Sequence, residues 1–222
     1  MPSNRVINIC FHGVGKPRRE LEPGEAPYWV EEDQFLAILD EIATWPSVRI
    51  SFDDGNASDV DIALPALVER GLTADFFVLA GRLDSAGSLG EDDVRELRRR
   101  GMTVGSHGMW HRPWRGMDPG TSNDELVEAR TRLAGVIGEP IETAACPLGR
   151  YDRRLLTEMR RLGYKRVFTS DRRAARRDAW LQPRFSVCAP DTPRSIRAQA
   201  LVPPSLVRRS KLSAVGVVKR LR

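Results

Sequence analysis

Two carboxylates and two imidazoles carry the chemistry open to this chain. Asp53 and Asp54 stand side by side in Ser51-Phe52-Asp53-Asp54-Gly55, at the end of the apolar run Val48 to Phe52. Such a run, ended by Asp-Asp-Gly, reads as a buried strand that delivers acids to the rim of a sheet. Asp-Asp-Gly is also an ordinary turn, so the pair alone defines nothing. Adjacent like charges are unfavourable without a cation nearby, which directs attention to His107 and His111, four apart just after another strand-like segment. Two imidazole nitrogens and one carboxylate oxygen make a common ligand set for Zn²⁺, with one position left for water or substrate. The chain has three histidines, and all three, His12 included, fall at expected strand ends. That concentration favours a metal site over coincidence.

With a metal present, the carboxylates divide their work: one binds the cation and the other activates water. A backbone N–H in the Pro147-Leu148-Gly149 turn could steady the developing oxyanion, with Leu148 or Gly149 as the supplier. His12, the one histidine without a role, is the candidate to protonate a leaving amine.

These residues need elements to hold them. Strands are expected over Val6 to Phe11, Val48 to Phe52, Ala74 to Leu79, Met102 to Gly105, Ile141 to Cys146 and Lys165 to Thr169. A seventh, Trp180 to Val187, is weakened by Pro183. Helices are expected over Glu31 to Ile42, Pro65 to Arg70, Glu91 to Arg100, Asn123 to Ile137 and Arg153 to Leu162. Asn56 to Asp61 and Arg172 to Asp178 read as polar loops. Residues 16 to 29 form a loop of unusual length, and Trp29 at its end is a candidate substrate contact. Alternation of strand and helix implies parallel strands with right-handed crossovers. His12, Asp53, Asp54, His107 and the Pro147 turn follow the carboxyl ends of different strands. Barrels converge residues in this way more readily than single-crevice sheets. The expected fold is α/β, a distorted (β/α) barrel of about seven parallel strands, spanning residues 1–200.

Composition narrows the setting. No run of about 18 apolar residues is present, so no spanning helix is expected. Cys10, Cys146 and Cys188 are odd in number and widely spaced, as reduced thiols would be. The opening residues lead into a strand without the apolar core of a signal peptide, so the expected location is cytoplasmic. The net charge of +5 conceals an asymmetry: from Arg150 onward Lys and Arg exceed acids by 15, whereas the preceding residues carry an excess of 10 acids. The basic residues spread over several elements instead of one stripe, so no nucleic acid partner is expected. Residues 201–222 form a basic tail that reads chiefly as packing or loose chain, with weak contact to an anionic inner membrane face as the alternative.

Three segments carry a resemblance. Ser-Phe-Asp-Asp-Gly at 51–55, Ser-His-Gly-Met-Trp-His-Arg-Pro at 106–113 and Cys-Pro-Leu-Gly-Arg-Tyr-Asp at 146–152 resemble, in order and spacing, the first three motifs of the polysaccharide deacetylases, the NodB-type carbohydrate esterases. The resemblance implies a distorted (β/α) barrel and metal-dependent removal of acetyl groups from amino sugars. It casts Asp53 as catalytic base and Asp54, His107 and His111 as metal ligands. Two departures stand out: Ala145 occupies the place of an arginine that orients the base, and Leu148 that of an aromatic. Arg184, in Trp180-Leu181-Gln182-Pro183-Arg184, is the replacement candidate. The family's C-terminal histidine motif is missing, but Ile9-Cys10-Phe11-His12 resembles the first strand of circularly permuted members, which supplies that histidine.

The expected activity is therefore N-deacetylation of an acetylated amino sugar or glycan precursor by a divalent cation, Zn²⁺ before Co²⁺, Ni²⁺ or Fe²⁺. A nucleotide-linked or lipid-linked amino sugar would suit the basic C-terminal third. The alternatives are a C–N hydrolase of a small cyclic amide, and a catalytically impaired glycan-binding homologue.

Overall fold

The computed structural model describes residues 4–201; beyond Leu201, the basic tail lies outside the described residues. The centre is a parallel sheet of β1 (Arg5–Phe11), β2 (Val48–Asp54), β3 (Ala74–Val78), β4 (Thr103–Ser106), β5 (Thr143–Ala145), β6 (Arg166–Thr169), β7 (Leu181–Pro183) and β8 (Phe185–Ser186). Neighbours run β7-β6-β5-β4-β3-β2-β1-β8. The edge strands β7 and β8 are consecutive in sequence, parted only by Arg184. One stretch of chain thus joins both edges, and the sheet bends round into a nearly closed barrel, as expected. The weak seventh strand is this seam. Its first half pairs with β6 and its second with β1. Arg184 N–H donates to Thr169 O at 2.8 Å, and Val187 N–H to Cys10 O at 2.8 Å. Ala175–Arg176, expected within a loop, instead pairs antiparallel with Arg5 and Val6.

Alternation along the strands sorts side chains between two layers. Ile9, Phe11, Ile50, Phe52, Phe76 and Val78 join the apolar cluster that contains the helical residues Phe35, Ile38 and Leu39. The intervening Phe77 packs instead with Ala145 and Phe168. Burial of these rings stabilises the fold by about 25 cal/mol per Å² of apolar surface removed from water.

Helix α1 (Glu32–Ala43) buries Phe35, Ile38, Leu39 and Ile42 on one face, with acids in its first turn. The expected polar loop after β2 instead coils into a wide turn, Asp59–Ala63, that leads into α2 (Leu64–Glu69). Helix α3 (Glu91–Arg99) starts on acids and ends on arginines, favourable at both ends of its dipole. The longest helix begins earlier than its apolar pattern suggested. Asp118 caps α4 (Pro119–Asn123), and a wide turn at Asp124–Glu128 leads into α5 (Ala129–Ile137), which Gly138 closes at φ 73°. Helices α6 (Arg153–Arg161) and α7 (Pro193–Ala200) follow. No helix among the described residues is long and apolar enough to cross a membrane.

Candidate active site

Two adjacent residues of a strand ordinarily face opposite sides. Asp54, the last residue of β2, takes φ 78° and Gly55 follows at φ 70°, a left-handed step that Asp and Gly tolerate. Both carboxylates consequently reach the same imidazole: His107 Nε2 lies 3.4 Å from Asp54 Oδ1 and 3.9 Å from Asp53 Oδ2. Five described non-glycine residues have positive φ, and three of them are Asp54, His111 and Leu148. Backbone conformations of this cost collect where a site demands them.

Asp54 Oδ1, His107 Nε2 and His111 Nε2 converge, all within 4.8 Å of one another. His111 Nε2 is 3.5 Å from Asp54 Oδ1. That oxygen is buried and has no hydrogen-bond partner, an arrangement costly unless a cation meets it. His107 Nδ1 lies 2.9 Å from Ala145 O, so its N–H is directed there and the Nε2 lone pair faces Asp54. Burial lowers the His107 pKa to about 4 despite the nearby carboxylates, which keeps the ring neutral and able to ligate. The set fits a divalent metal.

The loop bearing both imidazoles is fixed from behind. Buried Glu125, on the wide turn before α5, accepts from Met109 N–H at 2.8 Å, Trp110 N–H at 3.1 Å and Trp114 Nε1 at 3.2 Å. A Cβ at Gly108 would stand 2.1 Å from Glu125 Oε2, so only glycine fits there.

Asp53 makes different contacts. Arg184, fully buried, donates through Nη1 and Nη2 to the two Asp53 oxygens at 2.6 Å each, and through Nη1 to Ser51 Oγ at 3.1 Å. Its guanidinium lies over the Phe77 and Phe168 rings, 5.3 and 5.7 Å from their centroids. Burial opposes ionisation of Asp53, but the charge and the hydrogen bonds of the Arg184 guanidinium outweigh it. Its pKa is held well below the usual carboxylate range. Cys10, His12 and Asp53 also present potential ligand atoms within 4.8 Å. With both Asp53 oxygens on Arg184, and burial raising the Cys10 thiol pKa, a guanidinium takes the place of a cation there. His12 Nε2 is 4.0 Å from Asp53 Oδ2, and the ring packs on Tyr28 with centroids 4.8 Å apart.

Two expectations require correction. Trp29 does not line the cavity. It pairs through Trp29–Val30 with Gly13–Val14, its ring covers Gly13, and Nε1 donates to Glu25 Oε1 at 3.2 Å. Tyr28, one residue earlier, lines the cavity instead. Gly149 N–H is already donated to Cys146 O at 3.1 Å, which leaves the exposed Leu148 as the candidate oxyanion donor of that turn.

Sequence reasoning missed Glu22. It lies in the long loop, and its Oε2 is 2.5 Å from His111 Nδ1, while Arg82 holds Oε1. A carboxylate on the second ring nitrogen fixes the tautomer and raises ligand basicity. The length of the loop was the one available signal. Changing Glu22 to Gln is expected to weaken metal binding roughly 10–100-fold without unfolding the protein, as measured by chelator competition; unaltered affinity would remove Glu22 from the site.

The cavity above these groups has a volume of about 360 Å³ and is lined by His12, Tyr28, Asp53, Asp54, His107 and His111 among others. Fold and site together define a parallel (β/α) barrel with an aspartate–histidine–histidine cluster at its carboxyl rim and a second, arginine-clamped aspartate beside it. A model of the polysaccharide deacetylases matches residues 42–167, more than half of the chain. The chain belongs to the polysaccharide deacetylase family.

YxkH of Bacillus subtilis (strain 168), whose name places it among the polysaccharide deacetylases, is 24% identical over 148 residues, or 67% of this chain and 53% of that protein. The chain thus spans about half the length of that curated relative. Deacetylase PplD of Streptococcus pyogenes matches with a TM-score of 0.75 at 19% identity, over 88% of this chain and 97% of that one. A de-N-acetylase from Aggregatibacter actinomycetemcomitans matches at 0.75 and 15% identity, over 88% and 99%. These two likenesses establish the fold. His12 and Arg184 both lie outside the matched span 42–167 and approach Asp53 from the end of β1 and from the barrel seam.

Proposed function

We propose that this protein is a metal-dependent hydrolase that removes the acetyl group from the nitrogen of an acetylated amino sugar. The observation that carries this reading is the convergence of Asp54 Oδ1, His107 Nε2 and His111 Nε2 beside an Asp53 clamped by Arg184. A divalent cation held by that triad, Zn²⁺ by its ligand types, would polarise an acetyl carbonyl and acidify water.

The protein's own groups supply the rest. Arg184 keeps Asp53 ionised and aimed, so that its carboxylate can take a proton from attacking water. His12, whose Nε2 lies 4.0 Å from Asp53 Oδ2 and which lines the same cavity, would return a proton to the departing amine. The Leu148 N–H at the cavity mouth would meet the developing oxyanion. Tyr28 and Leu148 offer apolar walls for a sugar ring. PplD, by its own description, was solved with acetate, the product this reaction would release. The Arg184 clamp also favours catalysis over a non-catalytic glycan-binding role, because a binding module has no use for an oriented buried base.

The test is acetate release from chitooligosaccharides and other acetylated amino sugars by metal-loaded protein. Release of acetate with a matching free amine is expected, and its absence from every acetylated amino sugar overturns the proposal. His107→Ala is expected to lose bound metal, measured by elemental analysis, along with the activity. Full metal content in that variant would dismiss His107 as a ligand. Hydrolysis of cyclic ureides in place of acetamides would favour the cyclic-amide reading.

A further inference from the structure

The positive excess of the C-terminal part of the chain is left without a use by the catalytic site. Part of it gathers at the opposite end of the barrel, around the first residues of β1 and β7. There a cavity of about 400 Å³ is lined by four arginines, Arg5, Arg160, Arg173 and Arg176, with Trp180 and Leu181 among its apolar walls and no Asp or Glu among its lining residues. The wall is organised: Trp180 Nε1 donates to Tyr164 O at 2.7 Å, and Arg160 lies 4.1 Å over the indole ring. Arg173 is half-buried and has no carboxylate partner among the described residues. Arg176, at the exposed rim, is held by Asp178 through Nε at 3.2 Å and Nη2 at 2.8 Å, so it adds less uncompensated charge than Arg160 and Arg173.

Like charges such as those of Arg160 and Arg173, around a concavity whose lining holds no carboxylate, carry an electrostatic cost that an anion relieves. Guanidinium forks match phosphate oxygens in pairs. The volume exceeds what one phosphate needs and falls within the roughly 300–1,000 Å³ of small-molecule sites. The indole and aliphatic walls suit an apolar or planar appendage. We propose that this cavity is a second ligand site, distinct from the catalytic one, for an organic phosphate: a phosphate or diphosphate held by Arg160 and Arg173, with its organic part against Trp180. The chemistry is shared by nucleotides and phospholipid headgroups. The inference does not depend on the reaction proposed above.

Binding is measured with the full chain at low and moderate salt, using uridine diphosphate, inorganic phosphate, and phosphatidylcholine vesicles with and without phosphatidic acid. The variants are Arg160→Glu/Arg173→Glu and a control with the same charge change elsewhere, Arg132→Glu/Arg153→Glu. All four positions lie at least partly on the surface, and circular dichroism checks the fold of each variant. Saturable binding of the diphosphate or of the phosphatidic acid vesicles is expected, weakened about tenfold or more in the cavity variant and nearly unchanged in the control. Diphosphate binding alone identifies a soluble organic phosphate, and vesicle binding alone a lipid headgroup; either supports the site. The proposal is overturned if neither probe binds, if the control loses as much as the cavity variant, or if inorganic phosphate binds as tightly as the diphosphate.

Discussion

Replacing Arg184 by methionine is expected to lower the unfolding free energy by about 3–5 kcal/mol, and the melting temperature by roughly 6–20 °C for a chain of this size. The guanidinium is fully buried and meets both oxygens of a carboxylate that is itself only 3% exposed. Removing one partner leaves Asp53 to choose between an unpaired buried charge and an uphill protonation, and both are costly. The pair as a whole is not an asset of the same size, because taking two charges from water offsets most of their attraction. The double variant Arg184→Met/Asp53→Asn should therefore recover most of the lost stability. Chemical denaturation of the three proteins decides the matter. A single-variant loss under about 1 kcal/mol, typical of an exposed ion pair, would mean that Arg184 does not hold Asp53 in solution.

Asp53→Asn carries the largest expected effect on turnover among variants that keep the metal. An amide has nearly the shape of the carboxylate but cannot accept the proton of an attacking water. Acetate release is expected to fall about 10²–10⁴-fold in kcat, the usual contribution of a positioned base, while bound metal stays at the wild-type level. The division of labour between the two acids predicts that contrast with His107→Ala. Metal content is the discriminating readout: if Asp53→Asn empties the site, Asp53 is a ligand and the assignment of roles fails. The amide also leaves Arg184 without a countercharge, so both assays belong well below the variant's melting temperature.

The parts of this molecule legible in the sequence are those encoded by neighbours in the chain. Asp53, Asp54, His107 and His111 each follow an apolar run, and strand ends are what periodicity marks best, so the triad and the barrel could be anticipated together. Trp29 was misread because its partner is Gly13, and only the short parallel pair reveals that the indole turns to that glycine, leaving Tyr28 beside His12. Glu22 was invisible for a related reason: nothing in a charged, proline-rich loop says which acid reaches His111. The coil at Asp59–Ala63 was hidden by polar residues that resemble a loop. Arg184 was legible only as a candidate, since its partner lies 131 residues earlier in the chain and the seam that brings them together is a property of the closed sheet.

That separation has a bearing on how the protein comes into being. A ribosome extending the chain at about 5–20 residues per second leaves roughly 7–26 s between the emergence of Asp53 and that of Arg184. During this interval the growing polypeptide can pair β2 with β1 and β3, yet it cannot bury an ionised Asp53 without cost. The seam at Arg184, between the last two strands among the described residues, carries the countercharge and also shuts the sheet. Nascent chains that stall before Arg184 would hold a solvated, unclamped aspartate, so the protein would acquire its clamped Asp53 and its closed architecture in one late event.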